Sequence, residues 1–154
     1  MLRAVPKSWF SSGYRVLEDN TTIAMVDLSR WREAGVLTIN GSTYRVYRKG
    51  LMSGLFLLES GGSILARAQK PSALYRSFLV EDGGNQYKLE AESALYRKFI
   101  LTQKENPIGS VYPESAFTNK AVIDLPEAIS LPVRLFIFWL VIILWNRGSD
   151  AASS

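Results

Sequence analysis

The chain has 154 residues, 47% of them hydrophobic and 21% charged, which is the size and composition of one globular domain that needs no staples to fold. It contains no Cys and no His. That excludes disulfides, thiol nucleophiles, thiolate or imidazole metal sites and a Ser-His-Asp triad, leaving only Asp, Glu, Lys, Tyr or Ser for any chemistry. The net charge of +4 is uneven: residues 1–77 hold 11 Lys and Arg against 5 Asp and Glu, residues 78–154 hold 7 against 9. The basic half points to an anionic partner, lipid headgroup or nucleic acid.

Met1 to Lys7 lacks the apolar run of a secretory signal, so residues 1–8 read as a flexible N-terminus and the location as cytoplasmic. Asn20-Thr21-Thr22 and Asn40-Gly41-Ser42 match a glycosylation pattern but read as turns. Short β-prone runs then alternate with turn residues. Tyr14 to Glu18 and Thr22 to Val26 flank Asp19-Asn20. Val36 to Ile39 and Ser42 to Tyr47 flank Asn40-Gly41, a pair suited to the two positive-φ residues of a type I′ hairpin. Leu55 to Glu59 and Ile64 to Gln69 embrace Ser60-Gly61-Gly62-Ser63. Phe78 to Glu81 and Gln86 to Glu90 embrace Asp82 to Asn85, and Phe99 to Thr102 and Ile108 to Tyr112 flank Gln103 to Pro107. This spacing predicts an antiparallel sandwich or barrel.

An internal repeat agrees with it. Ser72-Ala73-Leu74-Tyr75-Arg76-Ser77-Phe78-Leu79-Val80 is echoed by Ser93-Ala94-Leu95-Tyr96-Arg97-Lys98-Phe99-Ile100-Leu101, which reads as two hairpins in equivalent places of a barrel. Alternation puts Ile64, Ala66 and Ala68 on an inner face with Arg67 outside. It also puts Tyr44 and Val46 inside with Arg45 and Tyr47 outside.

From about Leu131 the pattern changes. Leu135 to Trp145 is an unbroken apolar run of 11 residues, with Ser130 as N-cap, Pro132 in the first turn and Asn146-Arg147-Gly148 closing it. Asp124 and Glu127 would complement its N-terminal dipole. At 1.5 Å per residue the run covers about 16–17 Å, short of the roughly 30 Å of a bilayer core, and extending it backwards meets Arg134. A helix apolar on all sides yet too short to span belongs in a core. The expected organisation is a single domain over 9–147 with a core helix at about 131–146 and a disordered tail at 148–154. The competing reading is a tail anchor.

A mainly β barrel wrapped around a buried C-terminal hydrophobic α-helix resembles the tubby C-terminal-like superfamily, which includes tubby domains, phospholipid scramblases and LURP-one-related proteins. The resemblance rests on the hairpin Ile39 to Val46, the strand Leu65-Ala66-Arg67-Ala68, the hairpin Arg97 to Gly109 and the stretch Leu135 to Trp145. It is similar above all to small bacterial members of that group. Tubby domains imply phosphoinositide binding through Lys and Arg outside the barrel. Scramblases imply a calcium-binding acidic stretch and palmitoylated Cys, and neither occurs in this chain.

Two basic clusters suit an anionic headgroup. One is Arg30, Arg32, Arg45, Arg48 and Lys49, diluted by Glu33. The other is Arg67, Lys70 and Arg76, with Arg97 and Lys98 brought near through the repeat. Arg76 and Arg97 stand two residues before Phe78 and Phe99 and are placed at the barrel rim, meeting carbonyls or a carboxylate. No phosphate loop, calcium loop or zinc spacing occurs, so neither metal nor cofactor is expected. The functional expectation is a noncatalytic binding or scaffold module, monomeric, docking on anionic phospholipid or phosphoinositide headgroups at the inner membrane face rather than on nucleic acid. Besides the tail-anchored protein, the alternative is a carboxylate- or lysine-based enzyme.

Overall fold

Two-residue turns set the plan of the fold. Asp19-Asn20 and Asn40-Gly41 have φ of 49° and 66°, and 51° and 79°, the left-handed pairs that join antiparallel strands without splaying them. In the computed structural model such turns alternate with longer connections. The structure describes residues 1–8, 12–50, 53–72, 76–93 and 97–153, the last five as backbone only.

Among these residues there are twelve strands and one helix. They are β1 (Leu2–Pro6), β2 (Gly13–Glu18), β3 (Thr21–Leu28), β4 (Ala34–Ile39), β5 (Ser42–Arg48), β6 (Leu55–Ser60), β7 (Ser63–Gln69), β8 (Ser77–Asp82), β9 (Asn85–Ala91), β10 (Phe99–Gln103), β11 (Asn106–Pro113), β12 (Ala121–Asp124) and α1 (Leu131–Ser153). Each strand pairs antiparallel with the next, and β1 pairs β12 to close the barrel. The tight turns therefore lie at one end. The segments 7–12, 29–33, 49–54, 70–76, 92–98 and 114–120 join strands at the other, which is the mouth.

An eight-stranded barrel is just filled by its own side chains, so twelve strands enclose more room than theirs can fill. Here α1 occupies it. Every residue from Leu135 to Trp145 is buried, on all helix faces. Phe136 stacks on Trp139 with ring centroids 6.1 Å apart. Phe56 of β6 meets Trp139 at 5.8 Å and Phe78 of β8 at 5.2 Å, and Tyr14 of β2 meets Phe138 edge-on at 5.2 Å. Small inner residues make way for the helix: Ala66 and Ala68 are buried, and a Cβ on Gly35 would stand 2.6 Å from the Asp27 carbonyl and 3.5 Å from Trp139 Nε1. The outer face carries charge, as at Arg15, Arg45, Arg67, Lys88 and Glu90, the reverse of a lipid-facing strand. The stretch Leu131–Gly148 has the length and hydropathy of a membrane span, yet it lies inside this barrel with 67% of its residues buried.

Four local expectations are corrected. Residues 1–8 are not a flexible arm: Leu2 and Ala4 are 1% and 0% exposed, and β1 bridges two strands that would otherwise be open edges. Ile64 does not share the inner face of Ala66 and Ala68. A bulge shifts the register from Leu58↔Ala66 to Glu59↔Ile64, and Ile64 turns outward, 37% exposed. Gly148 does not end the helix, and the segment 148–154 is not a disordered tail as far as Ser153, because α1 continues to that residue through Ala151 and Ala152, strong helix formers. Asp124 is the last residue of β12 and no acid stands in the helix's first turn. The Arg134 amide does donate to the Ser130 carbonyl at 2.9 Å, as an N-cap at Ser130 requires, and Arg134 Nε turns back to the Ile129 carbonyl.

Phe136→Ala is expected to lower stability by about 3–5 kcal/mol, read as a fall in urea midpoint at constant slope. The β10–β11 turn uses Lys104 and Glu105 at φ of 50° and 67°, where L side chains are strained. Replacing the pair by Asn-Gly should raise stability by about 1 kcal/mol in the same measurement.

Candidate functional site

The helix leaves the barrel at the mouth, and this end collects most of the cations singled out above. Arg147, two residues past the buried run, donates from Nε and Nη2 to the two carboxylate oxygens of Glu33 at 2.8 and 2.6 Å. Such two-point geometry is the strongest form of an Arg–carboxylate pair. Arg48, the last residue of β5, donates to the same carboxylate at 3.1 Å and to the Ser53 carbonyl at 2.7 Å. Both guanidiniums lie over the Phe56 ring, at 5.8 and 5.9 Å from its centroid. One carboxylate thus serves two guanidiniums, and the cluster keeps a net positive charge.

That field reaches Lys70, half-buried beyond β7. Its ammonium is pushed below the ordinary lysine range, first by burial and second by the charge of Arg147. Lys70 Nζ donates to the Ser72 carbonyl. Lys49 and Arg32 are exposed.

Arg76 and Arg97 hold equivalent rim positions, but aromatic rings face their guanidiniums. Arg76 lies 5.1 Å from the Phe99 centroid and Arg97 4.7 Å from that of Trp145. The Arg97 carbonyl accepts the Trp145 indole N–H at 2.9 Å, tying the end of the helix run to the rim. Lys98 Nζ sits 5.5 Å from the Tyr112 ring, beside a cavity of about 420 Å³ between the 92–98 and 114–120 connections. The two repeat copies enter β8 and β10 from this same end. Their Ala73-Leu74-Tyr75 and Ala94-Leu95-Tyr96 portions lie outside the described residues.

Eight of the expected cations therefore share the mouth: Arg30, Arg32, Arg48, Lys49, Lys70, Arg76, Arg97 and Lys98. Arg45 and Arg67 do not. Arg45 is on the outer wall, paired with Glu59 at 3.3 Å and lying over Tyr47. Arg67 sits opposite Glu81 across β7 and β8, on a shallow groove of about 860 Å³ that also holds Lys88 and Lys104. Among the described residues no three acids gather closely enough to hold a metal ion.

Among the described residues two aromatics stand fully in solvent, Trp31 at 91% and Phe117 at 101% exposure. Both lie on connections at the mouth, and Arg30 and Arg32 flank Trp31. By sequence the same connections also carry Trp9, Phe10, Leu51, Met52, Leu74, Tyr75, Leu95 and Tyr96, all outside the described residues. Sequence reasoning missed the role of Arg147 and the exposed Trp31 and Phe117. Only the triplet Arg30-Trp31-Arg32 carried a signal, since a Trp between two Arg is an unusual thing to leave in a turn.

The fold and site define a closed antiparallel barrel plugged by its own helix, with a cationic, aromatic mouth. The chain matches no protein-family model, no curated protein and no solved structure.

Arg147→Gln is expected to raise the Lys70 pKa toward its ordinary value without restoring it fully, because the larger cause, burial, remains. Side-chain NMR titration of Lys70 checks this; an unmoved value would show that Arg147 contributes nothing.

Proposed function

We propose that the protein is a noncatalytic binding module that docks on an anionic phospholipid surface with the mouth of its barrel facing the bilayer. The observation that carries this reading is the coincidence of the cations with the fully exposed Trp31 and Phe117 at one end. Lys and Arg near an anionic leaflet each contribute about 1 kcal/mol, and Trp and Phe suit the boundary between headgroups and acyl chains. The tight-turn end has the opposite character, with Asp19, Asp82, Glu105 and Glu127 on or beside its turns. An acidic far end and a basic mouth give the molecule a charge axis that orients it as it approaches a negative surface.

The reading includes membership of the tubby C-terminal-like superfamily. It is supported by a barrel closed around a C-terminal helix, though without a matched set of headgroup ligands. It also includes a peripheral position at the inner membrane face, with the barrel axis near the membrane normal. Nucleic acid is disfavoured as the partner, because Trp31 and Phe117 are separated on different connections rather than spaced along one groove as a stacking platform.

Flotation with vesicles tests the reading. Recovery should be high with anionic and low with neutral vesicles at low salt, and should fall as salt screens the contacts. Arg32→Gln and Lys49→Gln should each weaken binding about fivefold. Trp31→Ala with Phe117→Ala should remove the part that survives high salt. Equal recovery on neutral and anionic vesicles at low salt would sink the proposal.

A further inference from the structure

Between the 29–33 connection and the helix lies a cavity of about 270 Å³. Its inner wall is one face of α1, formed by Trp139, Ile142, Ile143 and Asn146 at helical spacing, with Leu28 opposite. Arg30, Arg32 and Arg147 stand around it. The two helix tryptophans differ at this point. Trp145 gives its indole N–H to the Arg97 carbonyl at 2.9 Å. Trp139 is 0% exposed, and its Nε1 is the buried side-chain polar atom without any hydrogen-bond partner among the described residues. A donor left unsatisfied in a core costs roughly 1–3 kcal/mol, and such orphans are rare enough to call for an explanation.

We infer that this cavity is a binding site for a small amphiphilic monoanion, a carboxylate or phosphate oxygen carried on a short alkyl chain. Each property of the ligand answers a property of the walls. An acceptor oxygen answers the unpartnered Trp139 N–H, and negative charge answers the exposed Arg32 together with Arg147, which shares the carboxylate of Glu33 with Arg48. The alkyl body answers Leu28, Ile142 and Ile143. A chain of about eight carbons fits the volume, which is below the usual range for drug-sized ligands. Trp139 forms part of the inner wall with its Nε1 just beneath the surface, so a ligand oxygen meets the N–H only where the wall yields locally. The 29–33 connection is held to its neighbours by the Ser29 amide on the Ala34 carbonyl and by Glu33. The inference stands apart from the membrane reading, since it concerns a ligand in free solution, and flotation reads only the latter.

Two soluble probes distinguish a free fatty acid from a lipid as the source: octanoate, and dihexanoyl phosphatidate below its micelle concentration. Both are titrated into the intact protein while indole N–H resonances are followed by NMR, with Trp139 assigned through Trp139→Phe. The expected result is a saturable shift of the Trp139 indole with at least one probe, while the Trp145 indole stays in place and 1-octanol has no such effect. The probe that acts identifies the source. Arg32→Gln, an exposed change that should not disturb folding, is expected to weaken the effective probe about two- to fivefold. A Trp139 indole that moves with neither probe, or that moves equally with 1-octanol, overturns the site whatever flotation shows.

Discussion

A sheet that closes on itself has no edge left to expose, but it acquires an inside that must be filled. With twelve strands that inside exceeds what strand side chains can occupy, and the rest of the structure depends on how the chain fills it. It does so with its last element. The 11 consecutive apolar residues from Leu135 to Trp145 cover about 16–17 Å as a helix. Tilted strands of four to eight residues span a similar height at about 3.3 Å per residue. The length that is too short for a bilayer matches the barrel. The near-uniform burial around α1 follows, because a helix surrounded by sheet has no side on which a polar residue can meet water.

Filling the barrel with a helix also determines the chemistry of its mouth. As the apolar run ends, the helix delivers Arg147 to the rim, where it meets Glu33 and Arg48. Trp145, two residues earlier, is fixed by the Arg97 carbonyl. The contact that seats the plug and the groups that make the mouth cationic thus belong to one cluster. Half-buried pairs of this kind add modest stability once desolvation is counted. Their larger effect here is positional, because they hold guanidiniums over Phe56 and keep the 29–33 connection against the helix.

Much of the fold was legible in the sequence. Asn40-Gly41 and Gly61-Gly62 marked hairpins because few residues accept positive φ, and alternation along β5 placed Val46 inside and Arg45 outside. The errors fell where a second strand decides the outcome. The bulge that turns Ile64 outward arises from pairing with β6 and leaves no trace in the composition of β7. The N-terminal residues became β1 because β2 and β12 each needed a partner, although Leu2-Arg3-Ala4-Val5 is too short to declare itself. The candidate site was legible only in part. The basic residues were visible, but Arg45 and Arg67 proved to belong to the outer wall and Arg147 to the mouth.

The sequence by itself determined the local events: turns at residues that tolerate a left-handed backbone, strands between them, and one helix too apolar to face water. It also determined what the protein lacks, since without Cys and His several kinds of chemistry have no residues to use. Only the tertiary structure decided which end each charge occupies and which aromatic stays exposed. In a closed up-and-down barrel that depends on whether a residue lies in an odd or an even connection, and on the register summed around the whole ring. Those are relations between distant segments, and no local pattern of residues encodes them.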